Sequence, residues 1–136
     1  MRVIGPEEAP LWISISARGW AHEHPELLGF LLQLGSISAA REQSLCLRAE
    51  VDGNPGAAAV LCMHNEVALF GGSATVPELR HHGLQTARLQ GRMRYASGHG
   101  CELAMMVAVP GSDSQRNAER MGFRIAYTRT KWRLSS

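Results

Sequence analysis

The first stretch whose residue types could bind a ligand is RHHGLQTA, residues 80–87, which follows Pro77 and leads into a segment with helical periodicity. The N-terminus of a helix has unpaired backbone amides and the positive end of the helix dipole, so it attracts anions. Gly83 would let an anion approach the backbone closely, and Arg80 would add positive charge. The stretch therefore predicts a site for a phosphate-bearing ligand, with a plain turn into a helix as the alternative.

Neither a common nucleotide motif nor a metal motif fits this stretch. It lacks the lysine and hydroxyl of GxxxxGK[ST], and it does not match GxGxxG after a parallel strand, which argues against ordinary NTP and dinucleotide sites. The adjacent residues His81 and His82 would point apart at a helix entrance. The HEH at residues 22–24 lacks the i, i+4 spacing of a zinc helix. We therefore expect no metal site.

The composition is that of an ordinary globular chain. At 136 residues, with 45% apolar and 19% charged residues, the sequence predicts a single domain spanning residues 1–136. A formal charge of +2 is too small to indicate a nucleic-acid partner, and no run of about 18 apolar residues indicates a membrane span. Three widely spaced cysteines without a CxxC motif favour neither disulfides nor zinc. We therefore expect a cytoplasmic protein without nucleic-acid or membrane partners.

Hydrophobic periodicity predicts a mixed α/β sheet. After a short strand at residues 1–4, helices are expected at residues 10–20 and from Pro25 onward, where leucines form a broad apolar face. Three antiparallel strands then form a meander, and a strand–helix–strand crossover follows. The later predicted elements are strands 45–51, 57–64 and 66–74, helix 83–97, strand 101–109, helix 113–121 and strand 123–132.

Three of these elements carry expectations about the site. Gly71 and Gly72, near the end of the third meander strand, indicate a bulge or the close approach of a ligand. The strand at 101–109 is too apolar to alternate, so we expect it to be parallel and covered on both faces. The helix at 83–97 is expected to turn an apolar stripe toward the sheet and to keep its arginines largely elsewhere, namely Arg88, Arg92 and Arg94.

Two ordered motifs resemble the GNAT superfamily of acetyl-CoA-dependent N-acetyltransferases. The pyrophosphate loop of that family reads Gln/Arg-x-x-Gly-x-Gly/Ala. Here the pattern is occupied by Arg80, His81, His82, Gly83, Leu84 and Gln85, and Gln85 departs from it at the last position. The preceding ALFGGSATVPEL resembles the family's strand and proline turn, and PGSDSQRNAERMGF resembles its later helix, which ends in Gly-Phe. The resemblance covers residues 45–133 well and the first forty residues poorly.

The resemblance implies a GNAT-like α/β fold with a mixed, mostly antiparallel central sheet, helices on both faces and a splayed pair of parallel strands. It implies acetyl-CoA as the co-substrate and no metal. Backbone amides of the loop would hold the pyrophosphate, and Arg80 would add charge or brace the loop. The implied cofactor-binding residues are Ala74, Thr75, Val76, Arg80, His81, His82, Gly83, Leu84, Gln85, Thr86 and Asn117.

The resemblance also implies direct attack of an amine on the thioester. The Val76 N–H would polarise the thioester carbonyl, and Ser114 and Asn117 match polar positions near the thiol end of the cofactor. The family's frequent general acid is a tyrosine four residues before the Gly-Phe glycine, and Ala118 stands at that position here. Tyr127, Ser114 or water would then protonate the departing thiolate.

The resulting interpretation is an N-acetyltransferase that moves an acetyl group from acetyl-CoA to a primary amine of a small molecule or a protein. Glu66 or Glu102 would act as its base, or proximity alone would suffice. The alternatives are a catalytically silent acyl-CoA-binding module and a phosphate-binding regulator unrelated to CoA. The short N-terminal portion is compatible with a homodimer in which a partner completes the sheet.

Overall fold

The computed structural model describes residues 1–81 and 83–135. Within these ranges, five strands and four α-helices follow one another along the chain. In order they are β1 (Arg2–Val3), α1 (Ala9–Ala21), α2 (Leu28–Ala40), β2 (Ser44–Val51), β3 (Asn54–His64), β4 (Val67–Thr75), α3 (Leu84–Gly98), β5 (Leu103–Met106) and α4 (Asp113–Arg120). Short 3-10 turns at Pro6–Glu8, Pro25–Leu27 and Pro77–Leu79 precede α1, α2 and α3, because proline suits a first helical turn.

The strands form one sheet in the order β1-β2-β3-β4-β5. The first four pair antiparallel, and β5 pairs parallel to β4 after the crossover through α3. The hairpin turns before β3 and β4 each contain two residues with positive φ, Asp52 (50°) with Gly53 (78°) and Asn65 (45°) with Glu66 (64°). Such turns match the natural twist of paired strands. The predicted meander and parallel crossover are therefore confirmed.

A wedge opens between β4 and β5. The two strands pair over four rungs, from Val67 with Leu103 to Phe70 with Met106, and β5 ends there while β4 continues beside β3 to Thr75. The register of β3 against β4 shifts at Gly71 and Gly72. A bulge increases the local bend of a strand, so it turns the end of β4 away from β5. The predicted bulge and splayed parallel pair are both confirmed.

Helices cover both faces of the sheet, because adjacent residues of a strand point to opposite sides. Leu47 of β2 packs in one cluster with Phe70 of β4 and Leu89 of α3, whereas its neighbour Cys46 packs with Trp12 of α1. The Trp12 Nε1 donates a hydrogen bond to the Leu47 carbonyl at 2.9 Å, which ties α1 to the sheet. This arrangement confirms the predicted α/β layers.

The predicted C-terminal strand is wrong, since residues 123–135 form neither helix nor strand. Phe123 packs edge-on against Phe70 with ring centroids 5.8 Å apart, but Ile125 and Tyr127 are largely exposed. Alternation is a local signal, whereas a strand also needs a partner for its backbone groups. The burial expected for residues 101–109 is also wrong. The strand β5 pairs with β4 but lies at the edge of the sheet, and Leu103 is 61% exposed.

The apolar face predicted for α2 points largely outward. The helix exists where expected, but its buried residue is Gly35, which packs close to Ile13 of α1. Most of its large apolar side chains, among them Phe30 and Ile37, are exposed. Neither α2 nor any other helix within the described ranges has the length and apolar character to cross a membrane.

Candidate functional site

The loop before α3 has the geometry of an anion site. Gly83 is the N-cap of α3, with φ of 72° and ψ of 1°, a left-handed conformation that favours glycine. Glycine has no side chain with which to cap the helix, so within the described residues no N-cap side chain takes up the unpaired amides of the first turn. A Cβ added at Gly83 would meet nothing within 4 Å, which means that the backbone is open to approach.

The rest of the loop is held against α1. The Arg80 Nη2 donates to the Gly19 carbonyl at 3.1 Å, and Arg18 forms an ion pair with Glu78 at 2.8 Å. His81 has a positive φ of 67°, an uncommon conformation for a residue with a side chain. The contact to Gly19 is compatible with the bracing role that the resemblance implies for Arg80.

A groove of about 450 Å³ runs from this loop along β4 to α4, and we call it the loop groove. It brings together most of the residues that the sequence assigned to cofactor binding. His82, which was also assigned to it, lies outside the described residues. The assigned residues that line the groove are Ala74, Thr75, Arg80, His81, Gly83, Leu84, Gln85, Thr86 and Asn117.

Val76 does not lie in this groove, and its assigned role is wrong. It is 3% exposed, and its N–H already donates to the Gly56 carbonyl at 2.9 Å. The N–H groups of successive strand residues point alternately to the two sides, so those of Ser73 and Thr75 point away from β3. Val76 therefore lies on the wrong side of the strand to donate to an oxyanion. The alternative β4 donors are Ser73, which lines both the loop groove and the wedge between β4 and β5, and Thr75, which lines the loop groove.

A second cavity, of about 320 Å³, occupies the wedge and is called here the wedge cavity. Residues 70–73 of β4 line one side, Met106 and Val107 line the other, and Ser114 and Asn117 approach from α4. Trp20 at the end of α1 lines both the loop groove and the wedge cavity. Because the two cavities share lining residues, they form a continuous cleft.

Two arginines of α3 lie on the floor of this cleft, which contradicts the expectation that they avoid the sheet. Arg88 and Arg92 are 6% and 3% exposed. Both share a helical face with Leu84, since residues four apart lie above one another. The Arg92 Nη1 donates to the carbonyls of Val60 at 3.2 Å and Gly71 at 3.1 Å, so this arginine holds the bulge of β4.

Burial is the main cause that lowers the pKa of both Arg88 and Arg92 to about 10. The positive charge of Arg80 adds to the effect on Arg88, and that of Arg88 adds to the effect on Arg92. Both side chains remain protonated at neutral pH. The floor of the cleft is therefore positively charged.

Three of the predicted chemical groups lie away from the cleft. Tyr127 is 71% exposed and lines neither cavity, because the strand that was to carry it does not form. Glu66 and Glu102 lie at the beginning of β4, the end opposite the wedge, where the Glu102 N–H donates to the Glu66 carbonyl at 2.8 Å. Trp20 and Glu23, which were not assigned to the site from the sequence, line the loop groove from α1 and from the turn after it.

Several solved structures are similar to this chain. AAC(6')-Iy in complex with the bisubstrate analogue CoA-S-monomethyl-acetylneamine has a TM-score of 0.73 and 18% identity, over 99% of this chain and 97% of that one. Apo AAC(6')-IG, an aminoglycoside antibiotic 6'-N-acetyltransferase from Acinetobacter haemolyticus, has a TM-score of 0.71 and 16% identity, over 99% of this chain and 97% of that one. A predicted acetyltransferase from Clostridium acetobutylicum, solved with acetyl-CoA, has a TM-score of 0.71 and 16% identity, over 97% of this chain and 94% of that one. No family model and no curated protein matches the sequence.

Proposed function

The chain has the GNAT fold, and from this fold and its cleft we propose that residues 1–136 form one acetyltransferase domain. The domain would bind acetyl-CoA and transfer its acetyl group to a primary amine of a small molecule or a protein. The observation that carries the proposal is the continuous cleft from the amides at the start of α3 to the wedge between β4 and β5.

The loop groove supplies the groups that the CoA chain requires. Amides at the start of α3 would hold the pyrophosphate, with Gly83 allowing close approach. The backbone of Ser73 and Thr75, which has no strand partner on the wedge side, would pair with the amides of the pantetheine arm. Similar structures solved with CoA-S-monomethyl-acetylneamine and with acetyl-CoA support CoA as the kind of ligand that this fold binds.

The transfer itself needs few side chains. The amine nitrogen would attack the thioester carbonyl, the C–S bond would break, and the proton lost by the amine would reach the departing thiolate. The N–H of Ser73 or Thr75 would stabilise negative charge on the carbonyl oxygen. Ser114 lines the wedge cavity, so it would relay the proton with water. If the amine arrives protonated, Glu23, which lines the loop groove, is the candidate for accepting its extra proton before the attack.

The second candidate function is a catalytically silent acyl-CoA-binding module. One observation favours it. Ala118 is buried at the position where the family frequently has a tyrosine, and its methyl group cannot donate a proton to the thiolate. If the protein binds acetyl-CoA but never releases its thiol, the binding module is correct.

Release of CoA thiol from acetyl-CoA, followed with a thiol-reactive dye across a panel of polyamines, aminoglycosides and peptide amines, separates these functions. We expect release that depends on one class of amine, together with an acetylated product in the mass spectrum. Binding of acetyl-CoA without release for any amine would favour the silent module. Absence of acetyl-CoA binding would refute both.

A further inference from the structure

Arg88 is a buried cation that none of the described residues neutralises. Within residues 1–81 and 83–135, its Nε and Nη1 are buried without a hydrogen-bond partner, and no Asp or Glu forms an ion pair with it. Another buried arginine, Arg48, shows the contrast, since it pairs with Glu8 at 3.1 Å and Glu50 at 2.5 Å. Burying a charge without an opposite charge is costly, so a partner from outside the chain is expected for Arg88.

The charge around Arg88 selects an anion. The wedge cavity is lined by Arg88, Arg92 and Arg129, and among the described residues that line it there is no Asp or Glu. Arg92 already binds three backbone carbonyls, those of Arg88, Val60 and Gly71, and lies over the ring of Phe70, with its Cζ 4.7 Å from the centroid. Arg88 is therefore the arginine on the cleft floor whose buried donors still lack acceptors.

The position of Arg88 places that anion near the acyl group. Arg88 lies one helical turn after Leu84, on the same helix whose first amides would hold the pyrophosphate, and it lines both the loop groove and the wedge cavity. Glu23 and Asp113 line the loop groove as well, and Asp113 is paired with Arg116 at 2.6 Å. An acyl chain that entered the wedge would thus meet a guanidinium whose buried Nε and Nη1 have no hydrogen-bond partner among the described residues.

We propose that Arg88 binds a carboxylate at the far end of the acyl group, so that the donors preferred by this protein are CoA thioesters of short dicarboxylic acids. This inference rests on the CoA site of the proposed function and replaces acetyl, as the preferred acyl group, with one that ends in a carboxylate. The reaction is unchanged: the amine nitrogen forms an amide with the thioester carbon, the C–S bond breaks, and the amine proton goes to the thiolate. The distal carboxylate stays ionised and forms charge-assisted hydrogen bonds with the guanidinium.

The test compares two stable thioethers, S-(3-carboxypropyl)-CoA and S-(3-carbamoylpropyl)-CoA, by calorimetric titration. They are nearly equal in size and differ in a carboxylate against a carboxamide, so the pyrophosphate contributes equally to both, and an acceptor amine is not needed. For the unmodified protein we expect the carboxylate to bind at least about tenfold more tightly, which corresponds to about 1.4 kcal/mol. In Arg88→Met the ratio should fall to about one, and in Arg88→Lys part of it should remain.

Arg94→Met is the matched control, because Arg94 is an exposed arginine of the same helix and its loss should leave the ratio unchanged. Circular dichroism checks that each variant folds. The ratio of the two thioether affinities for the unmodified protein tests the inference even if a variant does not fold. Equal affinities for the two thioethers, with CoA itself bound, would overturn the inference and leave the proposed function standing. A carboxylate preference that survives in Arg88→Met would also overturn it. Failure of CoA and both thioethers to bind would overturn the proposed function, and the inference with it.

Discussion

Replacement of Gly83 by glutamate separates the pyrophosphate site from the stability of the fold. Gly83 has φ of 72°, and a Cβ there meets nothing within 4 Å, so the substitution adds backbone strain and a carboxylate but no clash. A left-handed conformation costs a residue with a side chain about 1–2 kcal/mol. We therefore expect a folded protein that is somewhat less stable and has lost most of its affinity for CoA.

The size of the binding loss follows from charge. A carboxylate about 6 Å from a diphosphate with two negative charges is repelled by about 1.4 kcal/mol in water and by about 5.5 kcal/mol at an effective dielectric constant of 20. These limits correspond to a loss of affinity between about tenfold and about ten-thousandfold. Because added salt screens exposed charges, the loss should shrink as ionic strength rises.

Gly100→Glu provides the control for strain, since Gly100 follows the other end of α3 with φ of 83° and also has nothing within 4 Å of an added Cβ. Gly83→Gln provides the control for size without charge. Titration with CoA should give the weakest binding for Gly83→Glu, intermediate binding for Gly83→Gln and ordinary binding for Gly100→Glu. If Gly83→Glu folds and binds CoA as well as Gly100→Glu does, the pyrophosphate does not lie at the start of α3.

Three further predictions concern stability and thiol chemistry. Gly19→Ala places a methyl group 2.6 Å from a side chain of β4, so it should lower the free energy of unfolding in urea by about 1–3 kcal/mol. Gly29→Ala, in open space on α2, should raise that free energy by about 0.5–1 kcal/mol. Equal effects of the two substitutions would contradict this packing. Hydrogen bonds from Arg2 and then from a backbone amide lower the pKa of Glu8 from 4.5 to about 2, so its stabilising effect is present above pH 4.5 and is lost as the pH falls toward 2. An acid titration followed by circular dichroism should show a flatter response in Glu8→Gln, and an unchanged profile would contradict this assignment. Burial raises the pKa of Cys46 to about 11, so alkylation of the native protein at pH 8 should modify the other two cysteines first, and early labelling of Cys46 would contradict its burial.

The parts of the fold that were predicted correctly depend on local chemistry. Asp52 and Gly53 form a turn that selects a hairpin, and Gly71 and Gly72 form a bulge, and both patterns can be recognised from a few residues. The prediction of a C-terminal strand was wrong because the alternation at Phe123 and Ile125 does not specify which edge of the sheet would pair with it. The outward direction of the apolar face of α2 was not predicted either, since periodicity indicates an apolar stripe but not which element covers it.

The candidate site shows the same division between local and long-range information. The conformation of the loop at Gly83, a left-handed turn at a helix start, could be predicted because a glycine follows a proline turn directly before a helical pattern, while its role as an anion site stays a prediction. Val76 was assigned wrongly because a shift of one residue along a strand reverses the direction of its N–H. Arg88 was missed because arginine usually lies at a surface, although its spacing of four residues from the apolar Leu84 indicated a buried face.

The most direct test of the cleft as a CoA site is a titration of the ¹⁵N-labelled protein with CoA, followed by amide chemical shifts. We predict saturable shifts at Gly83, Gln85 and Thr86 of the loop and at Ser73 and Thr75 of β4, with little change along α2. Unchanged loop and β4 amides at saturating CoA, or shifts confined to α2, would contradict the account.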